Sequence, residues 1–242
     1  MEITKREIIA SISIIAIMLL IGLWFDGKIA DWNTDQNEKY AKAVKIEDSD
    51  MFQYGMETNV GTAFVYGELK AVDTVTYPEI GGEYMYVEKV REQYTMHTRT
   101  YTTTDSKGNT QTHTETYWTW DRVESESVGC DEISFCGIVF PSNKIRFPSA
   151  EYIDTLKESS TIRYKYYGVN TLYTGTIFTS LCDGTITDGS SFYNEYNISE
   201  TVQMLKDANV ISQILFWVFW IILIIAIIYG FYYMDNWWLN DA

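Results

Sequence analysis

A membrane protein of the α+β class is the fold this sequence predicts: two transmembrane helices flanking a mainly β extracytoplasmic domain that carries a long β-hairpin. Three observations predict it. Two uncharged runs, Ile8 to Phe25 and Ile214 to Met234, lie near the ends of the 242-residue chain. Between them, alternating Thr, Tyr and Val are punctuated by Gly and Pro, which is a strand pattern. Within that pattern Tyr84 to Val123 reads as two long arms about the turn residues Asp105-Ser106-Lys107-Gly108-Asn109.

The N-terminal seven residues carry Lys5 and Arg6, and the 18 uncharged residues that follow reach about 27 Å as a helix, enough for a bilayer core. A cleaved signal peptide is the rival, but Gly22-Leu23-Trp24-Phe25-Asp26 has no small-x-small cleavage pattern, so residues 8–25 are read as an uncleaved anchor. Basic residues ahead of the span predict a cytoplasmic N-terminus and a central domain outside the cytoplasm. Residues 26–57 read as a partly helical stalk: Asn33 or Thr34 is a candidate N-cap, and a helix-compatible run continues to Ile46. The acidic cluster Glu47, Asp48 and Asp50 lacks the spaced oxygens and Gly of a calcium loop and reads as solvated linker.

The β-rich domain is placed at residues 58–190. Thr62 to Tyr66 and Leu69 to Val72 flank Gly67, which predicts a bend or bulge, and Pro78 with Gly81-Gly82 leads into the hairpin. Opposed residues of a hairpin have numbers that sum to a constant. With Thr104 facing Thr110 the constant is 214, and it sets Tyr94 against Trp120, Met96 against Trp118, Arg99 against Glu115 and Tyr101 against His113. Such aromatic and opposite-charge pairs contribute about 0.2–1 kcal/mol each. The same constant opposes Glu88 to Glu126, so a splay or bulge is expected at the base. Farther on, Ile133 to Phe140 reads as one buried strand and Lys144 to Phe147 as a short one. Ala150 to Lys157 reads as a brief helix, and Thr161 to Val169 with Thr171 to Leu181 as a second hairpin. Residues 191–213 are a helical connector with Ser199 as candidate N-cap, 214–234 the second transmembrane helix, and 235–242 a short cytoplasmic tail. Ser11, Ser13 and Gly22 on the first span, with Ala226 and Gly230 on the second, offer small-residue helix contacts.

Charge narrows the partners. Net charge is -15; of 18 Lys and Arg, two precede the first span, leaving 16, and of 33 Asp and Glu, Glu2, Glu7, Asp235 and Asp241 lie outside the two spans, leaving 29. Such a domain repels phosphate backbones, which argues against nucleic acid. No Gly-x-Ser-x-Gly, His-Glu-x-x-His, P-loop or dinucleotide fingerprint occurs. The two histidines, His97 and His113, share a face of the hairpin but sit four residues apart along it, about 13 Å, too far to share a metal ion. Neither a metal nor a cofactor is expected. For Cys130 and Cys136 a disulfide closing a small loop and a buried thiol at Cys136 stand as alternatives; three cysteines leave one over. Asn197-Ile198-Ser199 fits a glycosylation sequon.

One resemblance adds to this reading. Val65-Tyr66-Gly67-Glu68 is followed by Tyr86 to Tyr94 with Val87-Glu88-Lys89-Val90-Arg91-Glu92, then Trp120-Asp121-Arg122-Val123-Glu124-Ser125 and Ser160-Thr161-Ile162-Arg163-Tyr164. That order resembles the LUMA-type membrane proteins, and over residues 55–185 it is similar to the GIDE ectodomain of membrane-anchored ubiquitin ligases. The resemblance implies a membrane scaffold or stress-linked interaction domain. The further membrane helices of the first family and the zinc-binding RING of the second have no counterpart in this sequence, so ligase activity is not implied. The expected function is therefore a non-enzymatic scaffold or protein-interaction module, with the lipid bilayer and a second copy or another membrane protein as partners. Tyr94, Met96, Trp118 and Trp120 are the expected contact residues. A ligand-binding or stress-sensing module is the alternative, and a membrane-embedded hydrolase the third.

Overall fold

The computed structural model describes residues 5–105 and 108–240, with the backbone alone for Lys5, Arg6 and residues 235–240. Ser106 and Lys107 of the expected hairpin turn, and both chain ends, lie outside the described residues. The chain forms two compact units, a helical one made of residues up to 43 and from 198 onward, and a β unit of residues 44–197.

In the helical unit α1 (Lys5–Lys42) pairs with α3 (Ile198–Asn240). Both are long and apolar enough to cross a membrane, and only 11% and 6% of their most apolar windows are buried, which a soluble core helix would not leave so exposed. At 1.5 Å per residue they reach about 57 and 64 Å, about twice a bilayer core. The expected separate stalk helix is absent, because α1 runs through it unbroken. Asn33 donates across to the Asn209 carbonyl (3.0 Å) and Thr34 bonds back to the Ala30 carbonyl (2.8 Å), so neither side chain caps a helix start. The small-residue expectation holds for two positions. Ser11 donates to the Tyr232 hydroxyl at 3.1 Å, and Gly22 lies under the Trp220 ring, where a Cβ would fall 2.5 Å from Nε1. That indole N–H donates to the Met18 carbonyl at 2.9 Å. Ser13 instead bonds back to Ile9, Ala226 is exposed, and Gly230 has open space around it. Gln213 to Asp26 (2.7 Å) and Asn209 to Asn37 (3.0 Å) continue the polar seam.

The β unit holds two sheets. The larger runs in the order β6 (Ile138–Pro141), β5 (Glu132–Phe135), β2 (Gly61–Ala71), β10 (Leu172–Cys182), β12 (Ser190–Asn194), β7 (Ile145–Arg146), with β1 (Val44–Ile46) added parallel to β2 and β11 (Thr185–Ile186) added to β10. Alternate residues Ala63, Val65, Leu69 and Ala71 of β2 face a core completed by Ile177 and Leu181 of β10 and by Phe52 and Met56 of α2 (Ser49–Glu57). Asp48 starts α2 by accepting from the N–H groups of Asp50 and Met51, which accounts for one carboxylate of the acidic cluster. The smaller sheet runs β4 (Thr110–Gly129), β3 (Tyr86–Thr104), β9 (Ile162–Val169), β8 (Glu151–Lys157).

Five local expectations are corrected. Thr161–Val169 and Thr171–Leu181 do not form a hairpin: β9 pairs with β3 and β8, whereas β10 pairs with β2 over ten residues. The chain changes sheets between them, the Val169 carbonyl accepting from Met85 N–H (2.8 Å) and the Thr171 carbonyl from Ala71 N–H (2.9 Å). Ala150–Lys157 is not a helix but edge strand β8, because pairing with β9 overrides a weak local preference. Ile133–Phe140 is a tight hairpin rather than one strand, with Cys136 and Gly137 both at positive φ (49° and 79°) in its two-residue turn. Gly67 marks no bulge; β2 is regular there, and the missing side chain makes room for the Cys136 thiol. Residues 191–194, placed in a helical connector, belong to strand β12, and α3 starts at Ile198.

The β3–β4 ribbon as a candidate interaction site

The ribbon keeps the expected register from Thr104 opposite Thr110 down to Glu92 opposite Arg122. A one-residue slip between Arg91 and Glu92 then leaves Val123 unopposed. Below it Lys89, not Glu88, faces Glu126, so the bulge removes the like-charge pair. Strand β9 supports β3 only as far as Gln93, opposite Ile162, and Tyr94 N–H makes the last bond, to the Thr161 carbonyl at 2.9 Å. Beyond it, among the described residues, a two-stranded ribbon of ten residues a side stands free, about 34 Å long.

Tyr94, Met96, Trp118 and Trp120 share one face of this ribbon where it leaves the sheet. Tyr94 stacks on Trp118 with ring centres 5.4 Å apart and tilts against Trp120 at 5.2 Å. The four differ in accessibility. Met96 is 57% exposed, Trp118 51% and Tyr94 36%, but Trp120 is half-buried beneath the Arg163 guanidinium, 4.2 Å from its ring centre. Arg163 in turn binds Glu92 at 2.6 Å, and Lys165 reaches the same carboxylate at 3.1 Å. Trp120 thus anchors the root, while Met96 and Trp118 form the open apolar surface. Toward the tip this face is threonine on both strands, from Thr98 to Thr104 and from Thr110 to Thr116 at alternate positions.

On the opposite face Asp121 receives the Thr119 hydroxyl (2.8 Å), a bond from Thr95, and the His97 ring (Nε2 to Oδ2, 2.6 Å). The Thr119 bond first, then His97, holds the Asp121 carboxyl below its ordinary range. His97 stacks on Tyr117 (5.5 Å) and His113 on Tyr101 (5.4 Å), with Arg99 bonded to Glu115 (3.2 Å) between them. The two histidines thus keep separate partners, and no cluster of three or more His, Cys, Asp or Glu among the described residues could hold a metal ion.

A second constellation escaped the sequence reading. At the ribbon root Lys89 binds Glu79 at 2.8 Å and Glu126 at 3.4 Å and lies over the rings of Tyr164 (4.9 Å), Tyr77 (5.2 Å) and Tyr166 (5.9 Å). The Tyr166 hydroxyl donates to Glu79 at 2.9 Å. The only hint in the sequence was Pro78-Glu79 beside Gly81-Gly82, a turn that folds back over β3. A cleft of about 140 Å³ opens beside it, lined by Lys89, Arg91, Glu124, Glu126 and Tyr164. The Lys89 bond, a backbone N–H and the Tyr166 hydroxyl pull the Glu79 carboxyl down to about 2, from an ordinary 4.5. Burial, then the bond to Glu79, pushes the Tyr166 hydroxyl up to about 12. A carboxyl depressed in the folded state stabilises it fully above its unfolded value and loses that contribution as pH falls from 4.5 toward 2. Urea midpoints of the full chain should therefore fall over that interval, and less steeply in Glu79→Gln; parallel curves would remove Glu79 from the acid response.

Cys130 and Cys136 are free thiols, and burial pushes both up to about 11. Of the two alternatives for Cys136, the thiol is the one present, although it sits in a turn rather than in a strand.

Compared with protein-family profiles, curated proteins and solved structures, the chain matches none.

Proposed function

We propose that this chain is a two-pass membrane protein whose β unit lies outside the cytoplasm and acts, without catalysis, as a scaffold or protein-interaction module. Its contact surface is the ribbon face of Tyr94, Met96 and Trp118, with Trp120 as the anchor beneath. The observation that carries this reading is the free ribbon beyond Gln93, bearing exposed apolar side chains at its base. A two-stranded ribbon is marginal alone in water, and large exposed apolar groups beside polar ones are the usual signature of a contact surface. The sidedness rests on Lys5 and Arg6, which precede the uncharged run that starts at Ile8. Net charge of -15 argues for protein and lipid rather than nucleic acid as partners. The likeness to LUMA-type proteins and the GIDE ectodomain points the same way.

The Met96→Ala/Trp118→Ala variant tests the reading. Loss of two apolar anchors should lower recovery of crosslinked complexes from the native membrane at least tenfold, about 1.4 kcal/mol or more. Trp120→Ala is a poor probe, because it also removes the platform under Arg163. Complexes recovered in full from a variant whose ribbon still resists protease would end the proposal.

A further inference from the structure

Strand β4 is the outermost strand of its sheet along its whole length, and its two halves are protected very differently. Near the root the Val123 bulge breaks the edge, and Asp121, Glu124 and Glu126 crowd it with negative charge. These are the devices that keep sheet edges from pairing. From Thr110 to Trp118 there is no bulge, no Pro and no Lys, and six of the nine residues are Thr, Tyr or Trp, which favour strands.

The backbone groups on that stretch face outward. Within the ribbon the hydrogen-bonded pairs fall on odd numbers, as Asp105 N–H to the Asn109 carbonyl (2.9 Å) shows, whereas Tyr94 N–H turns away to Thr161. Alternation along a strand then aims the N–H and C=O groups of even-numbered residues from Thr110 to Trp118 away from β3. No described strand meets them.

We propose that this edge pairs antiparallel with the same edge of a second copy, about a two-fold axis at Thr114. The inference rests on the reading of the ribbon as an interaction surface and names its occupant. A two-fold pairing opposes residues whose numbers share a constant sum, and 228 is the one that charge selects. It sets His113 against Glu115 twice and Thr112 against Thr116 twice, with no like charges opposed. An axis at Glu115 would oppose two Glu115 carboxylates, and one at Trp118 would oppose Glu115 to Asp121. The sum is even, so the outward groups of even residues meet each other. The other edge is the shorter one: on β3 the strand β9 occupies that side up to Gln93 and leaves only Thr95–Thr104 uncovered. Along β4 no described strand occupies that side. The result is a four-stranded sheet, β3-β4 joined to β4-β3, and two-fold closure of this kind leaves no propagating edge on β4.

Disulfide trapping of the full chain in its membrane tests the pairing. Thr114→Cys should oxidise largely to a dimer of doubled mass, since the residue faces itself. Gln111→Cys should remain monomeric alone, yet crosslink when co-expressed with a differently tagged Tyr117→Cys chain. Thr114→Pro removes an outward N–H and no ribbon bond, so it should lower dimer recovery at least tenfold; protease resistance checks its fold. A monomeric Thr114→Cys chain, or Gln111→Cys dimerising better than Thr114→Cys, would overturn the two-fold register. If Thr114→Cys stays monomeric while Met96→Ala/Trp118→Ala still loses a different protein, self-pairing falls and the proposed function stands. If Thr114→Cys dimerises while the alanine pair changes nothing, the edge pairing stands and the aromatic contact surface falls.

Discussion

Phe135→Ala should destabilise the β unit by about 3–5 kcal/mol, the range for removing a fully enclosed phenyl ring. Phe135 has no solvent exposure, packs edge-on against Phe52 (5.9 Å) and Phe192 (6.4 Å), and lies opposite Leu69 in the β2–β5 ladder. From β5 it therefore ties together α2, β2 and β12. Neighbours drawn from three other elements cannot all collapse into the space, so the cavity cost should stay near the top of the range. With a urea dependence of about 2 kcal/mol per molar, the midpoint of the full chain should fall by about 1.5–2.5 M, read by pulse proteolysis across a urea series. Phe135→Leu, which keeps most of the volume, should cost about 1 kcal/mol. A loss below 1 kcal/mol for the alanine variant would mean that the ring is not the keystone of this core.

Gly175→Ala is the second large effect, and it acts by overfilling. Gly175 and Gly67 face each other across β10 and β2. A Cβ at Gly175 would lie 2.2 Å from the Tyr193 carbonyl oxygen and 3.0 Å from the Phe192 ring. A backbone oxygen held in the β10–β12 ladder cannot step aside, so the two strands must part. The cost should be about 1–3 kcal/mol, and more for Val. At Gly67 the obstacle is the Cys136 thiol, 2.1 Å from the added Cβ and carried on a side chain. Cys136→Ala should therefore recover much of the stability lost in Gly67→Ala and none of that lost in Gly175→Ala. A double-mutant cycle with no coupling between positions 67 and 136 would contradict this account.

The difference between the two hairpin expectations shows what was legible. From Glu92–Arg122 to Thr104–Thr110 the ribbon register is legible to the residue, because a short turn joins its arms and one register constant can be tested against each opposed pair; Arg99–Glu115, Tyr101–His113 and Met96–Trp118 all agree. The arms Thr161–Val169 and Thr171–Leu181 have the same Tyr and Thr alternation and an equally plausible turn. They nevertheless belong to different sheets, because β10 finds its partner in β2, more than a hundred positions earlier. The tight Cys136-Gly137 turn was missed for the opposite reason: Ile133 to Phe140 is apolar on both sides of it, and no composition change marks the break.

At the site, Tyr94, Met96, Trp118 and Trp120 were placed together on one face by register alone. That Trp120 lies under Arg163 while Met96 and Trp118 stay open was decided by β9, which packs against the root and stops at Gln93. The Lys89–Glu79–Tyr166 cluster likewise joins three separate segments, none of which signals the others. By itself the sequence determined the two apolar helices, the strand-rich middle and the ribbon's register, since each follows from local hydropathy or from pairing across a short turn. Only the tertiary structure decided which strands share a sheet, where the ribbon leaves its support, and which half of the β4 edge is unguarded. Those outcomes depend on contacts between residues far apart in the chain, whose pairing is chosen by the shared burial of both partners and leaves no periodicity in either segment.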